Sequence, residues 1–367
     1  MFIVFDTTET FNDLRLEGTN FRMLKAYLSK TSSTLAIPKI VIEETVNHFR
    51  ERLRKDVEAA ASSLKSIRKL TGKDQVEAPV IVDQEEEVTH YRQHLNSQIK
   101  NLHGKVLGFE KVDIGELVQR SLQRRKPFDG EGRKGFRDAV IWETILRELL
   151  AMNSGATVAL ITKNTNDFAN ERELHGSLVE DCVRLGRSSD CVKLFDGLHM
   201  FIQEEVKPHL ETLDAITEQL RNGQYMNFNL DEFIESLIDM VTDNVEKDIK
   251  YLSFGQLGYR GGYFHSPHLV SLIWTPRDVT VADVWSIDDD KVAVGIDFTV
   301  DGKVECFEEL EVCYPKGDEV FSEFHDSVVL GDATFKVFIT VILDKKTGET
   351  GNCEIDEVET ELTTGWL

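Results

Sequence analysis

Apolar and polar positions repeat along this chain at two different periods, and the change of period marks its organisation. Phe2-Ile3-Val4-Phe5 is a continuous apolar run closed by Asp6, which predicts a short buried strand over residues 2–6. Phe11, Leu14, Phe21, Leu24 and Leu28 recur near helical spacing and predict a helix over 11–29. A second strand is expected from Leu35 to Ile37, and a long polar-rich helix from Lys39 to Leu70, broken by Thr71-Gly72-Lys73-Asp74. Residues 83–125 read as further helices with a charged surface. They interrupt the strand–helix alternation and form, with the end of the long helix, a helical insertion or cap over about 50–130. Arg124-Arg125-Lys126-Pro127 and Arg133-Lys134 flank Phe128-Asp129-Gly130-Glu131-Gly132, read as a mobile loop. An amphipathic helix over 136–152 follows, then buried strands at 157–162 and 191–195. Alternation of this kind favours a parallel sheet with helices on both faces, an α/β layered fold.

Beyond residue 200 the pattern shifts. Residues 198–252 are mostly helical, and Gly255-Gln256-Leu257-Gly258-Tyr259-Arg260-Gly261-Gly262 reads as a flexible joint. Val292, Val294, Ile296, Phe298 and Val300 then alternate strictly; Asp301-Gly302 is expected to make a hairpin turn, with Val304–Cys313 as the returning strand. Phe335–Leu343 is a further strand, and Lys345-Lys346-Thr347-Gly348 a further turn. These periods divide the chain into an α/β domain over 1–200, a helical connector over 201–262 and an antiparallel β domain over 263–367.

Charge follows the same division. Residues 1–200 hold 30 basic and 30 acidic residues, so the net charge of −23 belongs to residues 201–367. An acidic C-terminal part promotes solubility, and it either repels nucleic acid or covers a basic face of the first domain. The five cysteines, Cys182, Cys191, Cys306, Cys313 and Cys353, form no Cys-x-x-Cys pair and read as reduced thiols of a cytoplasmic protein. No apolar run has the length of a membrane span, and no signal peptide is expected.

Four acids stand where a strand meets a loop or helix: Asp6, Glu44, Asp138 and Asp167. Each alone is explained as a turn or cap residue. Together, at converging strand ends, they would repel one another unless a hard divalent cation neutralised them. That combination points to metal-dependent phosphodiester hydrolysis. Glu43, next to Glu44, is an alternative for the second position. His90 and His94 sit i, i+4 on an expected helix without a third ligand, and read as a solvated face. His48, one turn after Glu44, reads as a partly exposed histidine, and Trp142 and Phe168 as core.

Phe5-Asp6-Thr7, Ile37-Pro38-Lys39-Ile40-Val41-Ile42-Glu43-Glu44, Arg137-Asp138-Ala139-Val140-Ile141 and Ile161-Thr162-Lys163-Asn164-Thr165-Asn166-Asp167-Phe168 occur in an order that resembles the PIN-domain nucleases, and most nearly their larger bacterial branch. The resemblance covers roughly residues 1–200. It implies a three-layer fold with a central parallel sheet, and an endonuclease acting on RNA, single-stranded more than duplex, with one or two Mg²⁺ or Mn²⁺ ions held by Asp6, Glu44, Asp138 and Asp167. It further implies Thr7, Thr162 and Asn164 as supports of those acids, and Arg133, Lys134, Arg137 and Lys163 as contacts to substrate phosphates. Two positions depart from the family pattern: Thr8 stands where many relatives have Asn, and Asn164 where many have Asp. A DNA-directed nuclease, or a catalytically silent scaffold with a protein- or ligand-binding β module, are the alternatives. The C-terminal β domain would restrain the nuclease, bind a regulatory partner or mediate homo-oligomers.

Overall fold

The computed structural model describes residues 1–72, 83–153, 155–170, 173–251, 263–316 and 319–363. They form two compact units, 1–209 and 210–367.

The first unit is built on a five-stranded sheet. Its strands are β1 (Phe2–Phe5), β2 (Thr34–Pro38), β3 (Lys105–Leu107), β4 (Val158–Thr162) and, later in the chain, a strand at Val192–Asp196. The order is β3-β2-β1-β4 followed by that last strand, and every pairing is parallel. Around the sheet lie α1 (Thr7–Asn12), α2 (Thr19–Lys30), α3 (Lys39–Thr71), α4 (Gln84–Asn101), α5 (Ile114–Leu122) and α6 (Phe136–Ala151). After β4 come α7 (Thr165–Phe168), a two-residue hairpin of β5 (Ala169–Asn170) and β6 (Glu173–Leu174), and α8 (Gly176–Arg184). The strand at Val192–Asp196 is β7, and α9 (Gly197–Phe201) closes the layer. Ile3, Val4, Phe5, Leu35, Leu160 and Ile161 are fully buried, as expected for strands covered on both faces. Trp142 and Phe168 are core residues with no exposed surface.

Three readings of this unit change. The helix expected over 11–29 is two helices. Between them the Asp13 carboxylate accepts from the amides of Arg15 (3.0 Å) and Gly18 (2.7 Å), a local bonding pattern that competes with the helix. Residues 83–125 are not only helical: Lys105–Leu107 pairs with Ala36–Pro38 and supplies the edge strand of the sheet. Three residues are too few to show a period of two. The segment read as a mobile loop is tied down. Phe128 is buried with Leu117, Ala139 and Val140. Ser121 Oγ donates to the Gly132 carbonyl (2.7 Å), and Arg120 to that of Lys126 (2.7 Å).

The second unit carries α10 (Asp214–Arg221), a small hairpin of β8 (Gln224–Tyr225) and β9 (Phe228–Asn229), α11 (Leu230–Glu235) and α12 (Ile238–Tyr251). Four long antiparallel strands follow in the order β10 (Tyr263–Ser286), β11 (Lys291–Lys316), β12 (Glu319–Asp344) and β13 (Thr350–Thr363). The helices read as a connector supply Leu220, Ile234, Val241, Val245 and Ile249 to one core with Val294, Phe298, Phe335 and Val337 of the sheet. The joint expected at Gly255–Gly262 lies outside the described residues.

Asp301-Gly302 is not a turn. β11 runs straight through it, pairing Asp301 with Thr334 and Gly302 with Ala333. The Asp301 carboxylate accepts from Arg277 (2.5 Å) and Thr334 (2.9 Å) across the neighbouring strands instead of folding its own backbone. Gly302 is there for space: a Cβ would lie 2.8 Å from the Ser271 carbonyl oxygen and 2.9 Å from the Phe335 ring. The turn expected at Lys345–Gly348 is present, with Asp344 accepting from the amides of Lys346 and Thr347, both at 2.9 Å. Gly302→Ala is therefore expected to destabilise this unit by about 1–3 kcal/mol through overpacking. Denaturant unfolding checks this, and an unchanged midpoint would contradict it.

Candidate active site

The strand order turns at β1: the chain moves outward to β2 on one side and later returns to β4 on the other. In an open parallel sheet such a reversal opens a crevice beyond the strand ends. Asp6 enters it directly from β1 and Thr162 from β4, while Glu44 comes from the second turn of α3 and Asp138 from the first turn of α6.

Asp6 is almost wholly buried and caps α1. Its carboxylate accepts from the Thr7 amide (2.6 Å), Thr162 Oγ1 (2.7 Å) and Thr8 Oγ1 (3.3 Å). Burial still holds its pKa above the ordinary carboxylate value, because these bonds only partly replace water. Thr162 Oγ1 in turn accepts from the Asn164 amide (2.8 Å), and Asn164 Nδ2 donates to Asp167 Oδ2 (2.7 Å). A continuous hydrogen-bonded path thus links Asp6 and Asp167 through Thr162 and Asn164. On the opposite side Thr7 Oγ1 donates to Glu44 Oε2 (2.8 Å), so the α1 start ties the acid of β1 to that of α3. The hydroxyls of Thr10 and Thr45 meet at 2.6 Å just below.

Asp138 joins this group through its field. Its pKa is pushed up to about 7, first by burial and then by the negative charges of Asp6 and Asp167, with a smaller part from Glu44. α6 is anchored from behind. Trp142 Nε1 donates to Asp181 (3.0 Å), which also accepts from Arg120 (2.7 Å), Arg125 (2.9 Å) and Arg184. Asp138 lies one turn before Trp142 and shares its footing.

The two adjacent glutamates face different partners. Glu43 makes a two-pronged pair with Arg92 of α4 (2.7 and 2.8 Å), whereas Glu44 lies between Thr7 and the Arg137 guanidinium, to which it is ion-paired. Lys163 stands at the rim, with its amide bonded to Thr8 Oγ1 (3.0 Å) and its ammonium 3.6 Å from Asp196. Arg133 and Lys134 do not join this group by contact. Arg133 pairs with Glu131 (3.4 Å), and the Asp129 amide donates to the Lys134 carbonyl (3.1 Å), so these contacts stay inside their loop. His90 lies 3.9 Å from Glu86, and His94 is within 3.1 Å of the Arg15 carbonyl.

Glu9 is an acid at this site that the sequence pattern did not single out. It is buried, one oxygen accepts from the Leu198 amide (2.7 Å), and the other has no hydrogen-bond partner. Burial raises its pKa, partly offset by Leu198 and the charge of Lys163. The only signal was its place one helical turn after Asp6, where an acid ordinarily reads as a helix-start residue.

Among the described residues, no three His, Cys, Asp or Glu side chains stand close enough to enclose a metal ion. The donor chemistry itself, carboxylate oxygens under an excess of negative charge, suits a hard divalent cation.

Residues 3–168 match the family model of the PIN domain. The first unit of the chain carries a PIN domain, a family whose members are generally nucleases and typically use divalent metals; an antiparallel four-stranded sheet follows it. No curated protein and no solved structure matches the chain.

The raised pKa of Asp138 fixes the sign of a pH effect. The folded state holds this proton more tightly than the unfolded chain, so the stability it contributes is full below the ordinary value of 3.8 and is lost as pH rises toward about 7. In metal-free protein, the melting temperature of Asp138→Asn minus that of wild type is expected to grow across that window. A difference independent of pH would contradict it.

Proposed function

We propose that this chain is a metal-dependent endonuclease that hydrolyses phosphodiester bonds, with Asp6, Glu44, Asp138 and Asp167 holding one or two Mg²⁺ or Mn²⁺ ions. The observation that carries the reading is the grouping of Asp6 at the end of β1 with Glu44 of α3, Asp138 of α6 and Asp167 of α7, where burial and the neighbouring acids push the pKa of Asp138 up to about 7. When bound, the cation supplies a water of lowered pKa and charge for the leaving oxygen.

The chain's own residues supply position. Thr162 and the Thr7 amide hold Asp6 in one rotamer, and Asn164 orients Asp167 by donating to Oδ2. A neutral Asn at 164 therefore serves as a strut between acids. Thr7 fixes Glu44. Arg137 and Lys163 are assigned to contacts with substrate phosphates, and Arg133 and Lys134 to the same role from the neighbouring loop. RNA, single-stranded more than duplex, is the favoured substrate, on the family resemblance. The acidic residues 201–367 repel a polyanion, so substrate contact is assigned to the first unit, and a regulatory or partner-binding role to the second. Cys182, Cys191 and Cys353 are free thiols, which suits a reducing cytoplasm. No described helix is long and apolar enough to cross a membrane.

The test is cleavage of end-labelled single-stranded RNA and DNA with Mn²⁺, Mg²⁺ or EDTA. Asp6→Asn and Asp138→Asn are expected to lose more than about 100-fold in rate while staying folded. Thr162→Val is expected to lose roughly 10–100-fold, the usual cost of removing a group that orients a ligand. Metal-dependent cutting lost in both Asn variants supports the reading, and its substrate arm decides between RNA and DNA. Folded wild type that cuts neither would favour the silent scaffold.

A further inference from the structure

Beside Glu44 opens a groove of about 440 Å³ that the four acids do not fill. Glu44, Asn47, Arg50, Glu51 and Arg54 of α3 line it together with Arg137 of α6. On a helix of 3.6 residues per turn, positions 44, 47, 51 and 54 share one face, with 50 beside them. α3 buries Val41, Ile42, Thr45 and Val46, and no residue after these. Its continuation therefore projects this face without a core to cover it.

We infer that a single nucleic-acid strand leaves the carboxylate centre along α3, its phosphates meeting Arg137, Arg50 and Arg54 in turn. The inference rests on the nuclease reading and extends it to residues outside the acid group. Three observations carry it. The groove begins at Glu44, so a strand held in it is already at the site. Glu44 to Arg54 spans about 15 Å by helical rise, the reach of a few nucleotides. Apart from Ile40 the lining is polar or charged, with Glu43, Glu44 and Glu51 among the arginines, and it holds no Phe, Tyr or Trp, so it offers contacts to the sugar–phosphate backbone and no stacking platform for bases. Two guanidiniums one turn apart on α3, with that of Arg137 on α6, match one phosphate chain, not the two of a duplex.

The present partners of Arg50 and Arg54 are exchangeable. Arg50 donates to Asn47 (2.8 Å) and lies 3.4 Å from Glu85; Arg54 lies 3.9 Å from Glu58, and all of these side chains are exposed. Such pairs are weak in water. Glu43, also on this face, has its charge taken up by Arg92.

The experiment measures binding of the full-length protein to fluorescent oligouridylate and its deoxy counterpart in EDTA, over a range of salt. Each phosphate contact to a single strand contributes about −0.7 to the slope of log K against log salt. R50Q/R54Q is expected to make that slope shallower by about 1.4 and to weaken binding severalfold. R52Q, on the opposite side of α3 and paired with Asp56, is expected to leave both unchanged. Melting curves confirm that the variants are folded. Wild type that binds, with R50Q/R54Q keeping its slope or R52Q losing as much, overturns this inference and leaves the nuclease reading standing. Wild type that neither binds nor, with metal, cleaves overturns both.

Discussion

A carboxylate taken out of water at the end of the central strand is the constraint on which the first unit depends. Asp6 has β1 behind it and α1 starting at it, so solvent cannot reach it freely. Its charge is tolerated only because a backbone amide and two threonine hydroxyls donate to it. One of those hydroxyls comes from β4, 156 residues later in the chain. The site therefore exists only when β1 and β4 are paired in register, with Phe5 opposite Ile161. Folding of the sheet and assembly of the site are one event.

Two acid clusters in this unit are balanced in opposite ways. Asp181 sits among three arginines and the indole of Trp142, and this satisfied network fixes α5, α6 and α8 to one another. Removing one partner of such a buried group is costly, which makes it a rigid mount. The four acids in the crevice have the reverse balance. Hydrogen bonds position three of them, but among the described residues only Arg137 is ion-paired to one, and burial with the neighbouring charges pushes the pKa of Asp138 up to about 7. One cluster is charge-compensated and structural. The other is under-compensated, the kind of arrangement that marks a candidate functional site.

The second unit is held by ordinary means. Helices α10 to α12 cover one face of a four-stranded sheet, and buried Val, Ile, Leu and Phe make a single core. Close approaches in that sheet are reserved for glycine, as at Gly302 and at Gly295, where a Cβ would lie 3.1 Å from the Trp285 ring. Residues 201–367 carry the net charge of −23, which sets this part of the chain apart from the neutral residues 1–200.

The sequence by itself determined the layered α/β class and most strand and helix positions of the first unit, and it singled out Asp6, Glu44, Asp138 and Asp167 as candidates. Long apolar runs and sustained helical periods are local signals, and they survive into the fold. It did not determine β3, because a three-residue edge strand has no period. It misplaced a turn at Asp301-Gly302, where a local turn pair is overridden by cross-strand bonds to Arg277 and Thr334. Tertiary structure alone decided that Glu43 faces Arg92 while Glu44 faces Thr7, since two adjacent helical residues differ only in what the surrounding helices bring to them. It alone decided that Glu9 is buried at the site and that Asn164 bridges to Asp167. Burial and charge depend on groups far apart in the chain, and a periodicity cannot carry that information.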